Sequence, residues 1–265
     1  MSGRNVPVTA VVVSCDEADL LRRSLPALTF AEELIVVDME CTDDSAGVAA
    51  ACGAQVLAHP RVRVIEAAQR WLAGIAAHDW VLVCDPDEVV DAGLARAITA
   101  LLPDLPEDVA SIDIPTQYYF GRHPLRGTYW GGRKWKSGCL FHRHRVRLDN
   151  IVHRRAEPLP GFVAHRLPWA EDGLLRHYWM RDYAQFVLKH RRYLPAEGER
   201  HRGLGRRFSW PRLAWAAAHS FVWSLVKKRA WRDGHVGIGL SAFYAWYVSA
   251  GWLALARLEK EAARP

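Results

Sequence analysis

The sequence predicts an α/β fold: a doubly wound mixed sheet with helices on both faces, followed by a C-terminal helical appendage. Three observations lead there. Apolar, β-branched runs alternate with helix-length segments over the first 110 residues, the signature of a parallel sheet covered by crossover helices. Acidic residues cluster directly after three of those runs, at the carboxyl strand ends where open α/β sheets bind ligands. Two apolar segments, 211–226 and 236–256, then follow a polar, basic stretch.

Each element has its own warrant. Residues 8–14 form a β-branched apolar run that reads as a buried parallel strand. Residues 16–28 carry Leu20, Leu21, Leu25 and Leu28 at helical spacing. Residues 34–38 are a second buried strand. Thr42 or Asp43 caps a helix to Cys52, which Gly53 ends. Residues 54–57 and 80–84 read as strands, and residues 66–77 as a helix between them. Glu88, Val89 and Val90 lead into a helix over 91–102, stopped by Pro103 and Pro106. After residue 110 the pattern becomes more antiparallel. Residues 121–135, rich in Gly, Arg and aromatics, look like a loop over a site. Short strands are expected over 138–147, 151–153 and 174–179, a basic helix over 183–193, and a basic linker over 195–207. The expected organisation is a catalytic domain over 1–194, with halves 1–110 and 111–194, and an appendage over 195–265.

Charge divides the chain. Residues 1–110 hold 7 Lys and Arg against 18 Asp and Glu, and residues 111–265 hold 28 against 11. Ten of the twelve tryptophans also lie after residue 110. A basic, Trp-rich half suits phosphates or an anionic lipid surface. The acidic first half argues against a continuous nucleic-acid track, so no nucleic-acid partner is expected. Five scattered cysteines without a C-x-x-C pair disfavour disulfides and a zinc cluster, and fit a reducing cytosol. The first nine residues lack the apolar core of a signal peptide. The expected location is cytoplasmic, at the inner face of the cell membrane.

The three acidic clusters carry the chemistry. They are Ser14-Cys15-Asp16-Glu17; Asp38 with Glu40, Asp43 and Asp44; and Asp85-Pro86-Asp87-Glu88. Carboxylates gathered beside a phosphate ligand would repel it unless a divalent cation lies between them. Mg²⁺ and Mn²⁺ suit such hard oxygen donors. Neither common Gly-rich phosphate loop is present, which disfavours a dinucleotide dehydrogenase or a P-loop NTPase.

In order and spacing, residues 11–17, Ile35-Val36-Val37-Asp38 with Thr42-Asp43-Asp44-Ser45, and residues 78–89 resemble family 2 glycosyltransferases of the GT-A fold. Within these, the resemblance is to the lipopolysaccharide-core glucosyltransferase-like branch. Tyr119-Phe120-Gly121-Arg122, Cys139-Leu140-Phe141, Val152-His153, Leu175-Arg176-His177-Tyr178 and Arg232-Asp233-Gly234 continue it. The resemblance implies a metal-dependent transferase with a nucleotide-diphosphate sugar donor, a UDP-sugar favoured. It implies that Glu17 and Asp38 contact the nucleotide's base or ribose, that Asp85 lies near ribose and metal, and that Asp87 holds the metal with Asp85. Ser14, Arg122 and His177 are further candidates for the nucleotide-sugar site, and His153 and His177 could each be a metal ligand, a phosphate contact or a core histidine. For Asp38 the residues alone support a cap of the Thr42 turn equally well. The chain departs from that branch where His153 is followed by Arg154 and Arg155, where Cys139 replaces an arginine, and at His59-Pro60-Arg61-Val62-Arg63.

An inverting transfer needs a general base for the acceptor hydroxyl. Glu171, Asp172 and Glu157 are the candidates, with His153 beside them as a catalytic candidate. Arg122, Arg133, Lys134 and Lys136 could hold diphosphate oxygens or an anionic acceptor. The acceptor is expected to be a glycan or lipid-linked. Tyr and Trp residues with Lys227, Lys228 and Arg229 make residues 208–260 read as helices lying on a membrane surface. The same helices could instead pack on the catalytic domain or on a second subunit, as in a homodimer. Alternatives for the whole chain are a nucleotidyltransferase with an acidic metal site, which the acidic first loop disfavours, and a non-catalytic GT-A-like basic binding protein.

Overall fold

A computed structural model describes residues 5–62, 68–148 and 156–262. In it the chain divides into two compact units, residues 1–117 with 134–177 and residues 118–133 with 178–265. The strands are β1 (Val6–Ser14), β2 (Ala31–Asp38), β3 (Gln55–Ala58), β4 (Trp80–Cys84), β5 (Glu88–Val90), β6 (Val109–Phe120), β7 (His123–Pro124), β8 (Arg133–His142), β9 (Val146–Arg147), β10 (Glu157–Pro158), β11 (Val163–Arg166) and β12 (Leu175–Met180). The helices are α1 (Ala18–Ser24), α2 (Ser45–Ala51), α3 (Gln69–Ile75), α4 (Ala92–Leu101), α5 (Tyr183–Arg191), α6 (Leu194–Gly203), α7 (Trp210–Val222) and α8 (Gly234–Ala262).

The first unit is built on parallel strands in the order β3-β2-β1-β4, with β8 antiparallel to β4. Alternate residues of β1 serve opposite faces, as the pleat requires. Val8, Ala10 and Val12 pack with Leu21 and Leu25 on one side and with Leu94 and Ile98 of α4. Val11 packs with Ile35, Val37, Val81 and Phe141 and with Leu72 of α3 on the other. Burial on both faces explains why these strands are apolar runs rather than alternating ones. The mixed α/β sheet expected from sequence is therefore present, with a long C-terminal helix.

The second unit has a core of its own. Tyr118, Phe120, Leu125, Met180, Phe186, Val236 and Leu240 are buried together, with Trp130, Trp179 and Phe243 against them. Trp130 donates from Nε1 to the Leu240 carbonyl, at 3.2 Å. Asp233 is buried and accepts from the backbone N–H groups of Arg126 (2.8 Å) and Gly127 (3.1 Å). Its carboxylate thereby fixes the 125–132 loop, which gives a structural role to the Arg232-Asp233-Gly234 motif.

The structure corrects several expectations. Residues 195–207 were expected as a linker, yet Leu194–Gly203 form α6, started by Pro195 in the first turn. Its polar face is exposed, while Gly198 and His201 are buried. A Cβ on Gly198 would lie 2.9 Å from that of Ala254, so glycine permits the close approach to α8. Glu88-Val89-Val90 form β5 instead of leading directly into a helix, because they pair with β12. Asp91 then caps α4, accepting from Leu94 N at 2.9 Å. The segment expected as one helix over 16–28 is α1 followed by a 3-10 turn, Leu25–Leu28, entered at Pro26. The helix after β2 starts from Asp44 rather than Thr42 or Asp43. The 121–135 loop includes β7 and the first residues of β8. The unit boundaries differ from a division at residue 194, because residues 118–133 and 178–194 share a core with α8. The strand expected at 151–153 lies outside the described residues.

Histidine makes the second unit sensitive to acid. Burial beside Trp130, Phe186 and Phe243 pushes the His190 pKa down, opposed by its Nδ1 contact with the Phe186 carbonyl. Burial, with Arg206 and Arg200, likewise lowers that of His201. Each ring takes up its proton at a lower pH in the fold than in the unfolded chain, where the ordinary value is about 6.5. Stability should be full above that value and decline as pH falls through it, levelling only below the folded pKa values. The melting temperature is thus expected to fall between about pH 7 and about pH 5.5, and to fall less in a His190→Gln/His201→Gln variant. An equal decline in that variant would assign the effect to other groups.

Candidate active site

The parallel strands bring their carboxyl ends to one edge. Ser14 and Asp38 are register partners in β1 and β2, and Val12 partners Cys84, the residue before Asp85. The expected acidic clusters therefore share that edge.

On the β1–β2 side, the acidic loops lock each other. Asp16 accepts from the Thr42 backbone N–H and, at 3.0 Å, from the Thr42 hydroxyl. Asp43 accepts from the Ser45 hydroxyl, from Ala18 N (2.9 Å) and from Ser45 N (3.0 Å). These hydrogen bonds hold both carboxyl pKa values below the ordinary range. Ser14 is buried, its hydroxyl 3.2 Å from that of Ser45, and Ser45 also receives the Glu17 N–H. Asp38 Oδ1 accepts from Cys41 N at 2.7 Å, the turn-capping role open to it from sequence. Arg61 reaches Asp16 Oδ2 at 3.3 Å. Asp16, Cys41 and Asp43 offer donor atoms within 4.8 Å of one another, but their oxygens already serve the loop's own hydrogen bonds. Glu17 stands at the start of α1, with no side-chain cap bond to that helix.

The β4–β5 side is different. Residues 85–88 form a tight turn in which Glu88 N donates to the Asp85 carbonyl (2.9 Å) and Asp85 N donates to Glu88 Oε2 (3.0 Å). Glu88 is fully buried. Its carboxylate receives Lys136 Nζ of β8, 2.6 Å from Oε1, and the same ammonium lies 3.4 Å from Asp85 Oδ2. Burial alone would lower the Lys136 pKa, but Asp85 and Glu88 raise it well above the usual lysine range, so the ammonium stays charged. His177 arrives through the β5–β12 register, which pairs it with Glu88. Its Nε2 is 3.3 Å from Asp87 Oδ1 and its Nδ1 is 3.4 Å from Glu88 Oε1.

Asp85 and Asp87 remain the groups able to take a ligand. The Asp85 side chain is 45% exposed. Asp87 Oδ1 is buried and accepts no hydrogen bond. Leaving a carboxylate oxygen so placed is costly, so it marks a position for an external positive group. Two hard oxygen donors on one turn fit a divalent cation. Lys136, one of four cations that could hold diphosphate oxygens or an anionic acceptor, is engaged instead with Glu88 and Asp85. Sequence reasoning missed that pair because its members are 48 residues apart, and because Lys136 lies in the largely exposed first half of β8, where a lysine is commonplace.

The other expected residues are dispersed. Asp172 lies 3.6 Å from Arg96 and is largely exposed, while Glu171 accepts from Trp169 Nε1 at 3.4 Å. Glu157 pairs with Arg147 in the β9–β10 ribbon. Arg122 follows Gly121 in the second unit, whereas the acidic edge belongs to the first. His153 lies outside the described residues.

Removing one member of the buried pair should expose its cost. Lys136→Met leaves Glu88 buried and uncompensated, and is expected to destabilise the protein by about 3–5 kcal/mol. Lys136→Met with Glu88→Gln should recover much of that loss in denaturant titrations. A double variant as unstable as the single one would contradict the pairing.

No protein-family model matches the chain. Proteins named uncharacterized glycosyltransferase from Mycobacterium bovis and Mycobacterium tuberculosis are 34% identical to it over 156 residues, covering 56% of this chain and 66% of theirs. A protein of the same name from Rickettsia felis is 28% identical over 92 residues, covering 34% of this chain and 32% of its own. Among solved structures, glucosyl-3-phosphoglycerate synthase from Mycobacterium tuberculosis with Mn²⁺, uridine diphosphate and glucosyl-3-phosphoglycerate covers 46% of each chain at 24% identity and a TM-score of 0.33. The same enzyme with Mn²⁺ and UDP-glucose covers 45% of this chain and 44% of its own at 19% identity and a TM-score of 0.32. Overlap at that level is partial. The chain spans just under two thirds of the mycobacterial relatives, and over that stretch it is a relative of proteins named glycosyltransferases.

Proposed function

We propose that the chain is a metal-dependent, inverting glycosyltransferase of the GT-A type, in family 2, moving a sugar from a nucleotide-diphosphate donor to a glycan or lipid-linked acceptor. The observation that carries this reading is the buried Asp87 Oδ1, without a hydrogen bond, beside the half-exposed Asp85 at the end of β4. Kinship with proteins named glycosyltransferases supports it. The lipopolysaccharide-core branch and a UDP-sugar remain the finer reading, resting on the sequence motifs.

Each residue then has a task. Ser14, Glu17 and Asp38 line the edge that receives the base and ribose. Asp85 and Asp87 would hold Mg²⁺ or Mn²⁺, which would supply positive charge to the leaving diphosphate. His177, 3.3 Å from Asp87 Oδ1, positions that carboxylate. Lys136 fixes the turn by neutralising Glu88. Arg122 is the sequence's candidate for a phosphate contact. In the transfer the acceptor oxygen attacks the anomeric carbon from the face opposite the diphosphate. The bond to the diphosphate breaks, the electron pair leaves with it, and the acceptor proton passes to a carboxylate. Glu171, Asp172 and Glu157 are the candidates for that base, with His153 a further catalytic candidate. The site works in the cytoplasm at the inner face of the membrane, with residues 208–260 in contact with it.

Asp87→Ala should bind little Mn²⁺ and lose sugar transfer by at least about a hundredfold, with an unchanged circular dichroism spectrum. In wild type, one nucleoside diphosphate with Mn²⁺ or Mg²⁺ should raise the melting temperature above either alone. Full activity in Asp87→Ala, or no nucleotide-dependent shift in wild type, would overturn the assignment.

A further inference from the structure

The second unit contains a cleft that the transfer reaction leaves unused. It has a volume of about 290 Å³ and opens among α6, α7 and α8. Arg200, His201 and Arg206 stand on one side, Trp215 and His219 of α7 on another, and Tyr244 and Tyr247 of α8 on a third. Glu197 is the one carboxylate in its wall, and Arg200 (2.9 Å) and the Tyr247 hydroxyl (3.4 Å) engage it. Arg206 pairs with no carboxylate among the described residues. Its Nη1 lies 3.1 Å from His201 Nδ1, on a ring stacked against Trp252. The cleft thus holds an uncompensated guanidinium among aromatic hydroxyls, a setting for a phosphate oxyanion.

A second feature adjoins it. Trp215, Ala218, Val222 and Val226 follow one face of α7 and its π-helical continuation, Trp223–Lys227, and line an apolar groove. Trp215 is 72% exposed, Val222 55% and Val226 60%. Trp215 and His219 belong to both the cleft and the groove. Arg212, Lys227, Lys228 and Arg229 flank this face and are exposed. A ligand that is anionic at one end and apolar at the other matches the shared wall, and the exposed tryptophan marks an interface depth.

We propose that this cleft takes the phosphate headgroup of an anionic bilayer lipid while the α7 face enters the acyl region of the same leaflet. The proposal rests on the reading that residues 208–260 contact a membrane, and adds a specific headgroup site to it. The bound lipid would be a phosphodiester with a small polar head, and the cleft would hold it without chemical change.

Vesicle flotation of the full chain tests this, using phosphatidylcholine alone and phosphatidylcholine with phosphatidylglycerol. Arg200→Gln/Arg206→Gln should reduce the advantage of the anionic vesicles by about tenfold or more. Arg191→Gln/Arg192→Gln, an equal change of net charge at the C-terminal end of α5, should reduce it less. Trp215→Ala, at an exposed position, should weaken binding to both vesicle types. Equal losses in the two arginine pairs would overturn the headgroup site while leaving membrane contact standing. No binding to any vesicle would overturn both. Saturable binding of soluble glycerol phosphate, with no vesicle preference, would make the ligand a free phosphate. A dimer by light scattering without lipid, made monomeric by Trp215→Ala, would assign the α7 face to a second copy. Either result would overturn the lipid.

Discussion

The buried Lys136–Glu88 pair is the constraint on which the candidate site depends. Glu88 sits at the start of β5 and is fully buried, an unfavourable place for a carboxylate. Lys136 makes it tolerable by carrying an ammonium from β8 to that point. Because Glu88 also accepts the Asp85 N–H, the same pair closes the turn that holds Asp85 and Asp87. The two carboxylates able to take a cation are therefore positioned by a third that is not. Glu88 is already matched by Lys136, so an added cation would meet Asp87 Oδ1 instead, which accepts no hydrogen bond and has only the His177 imidazole nearby, 3.3 Å away.

A second consequence concerns His177. Antiparallel pairing of β5 with β12 places its ring against Asp87 and Glu88 together. The turn is thus supported from β8 by an ammonium and from β12 by an imidazole. Local sequence contributes only the acidic string; its geometry comes from strands 48 and 89 residues further along the chain. Preorganisation of this kind keeps a metal site from collapsing onto itself when its like charges repel.

The parts of the fold legible in the sequence were those governed by local periodicity. Strands β1, β2 and β4 are buried on both faces, so their apolar runs announced them, and the acidic strand ends followed directly. What sequence could not reveal depended on distant partners. The three carboxylates of Asp85-Pro86-Asp87-Glu88 look equivalent in sequence, yet one is core, one carries an oxygen without a hydrogen bond and one is half-exposed. Polar, basic α6 has little apolar periodicity, and its helical state depends on Gly198 and His201 meeting α8. Asp233 belonged to a recognisable motif, but its task, holding two backbone N–H groups more than a hundred residues away, needed the fold.

The same distinction orders the charge in the two units, although residues 134–177 of the basic half belong to the first. In the first unit, acidic residues at the sheet edge are largely consumed by loop hydrogen bonds, so the negative charge there is structural except around Asp85 and Asp87. In the second unit the positive charge is less consumed: Arg206 has only an imidazole beside it, and the cations flanking α7 remain exposed. A protein that had to be merely soluble would not need tryptophan and valine exposed among those cations, since isolated surface charge serves solubility without them. Exposed apolar side chains aligned on one helical face, with cations at its margins, gain most where water gives way to an anionic apolar phase. On the proposed readings, the division of charge seen in the bare sequence serves two chemistries: carboxylates for a cation at the end of β4, and guanidinium groups for an anion among α6, α7 and α8.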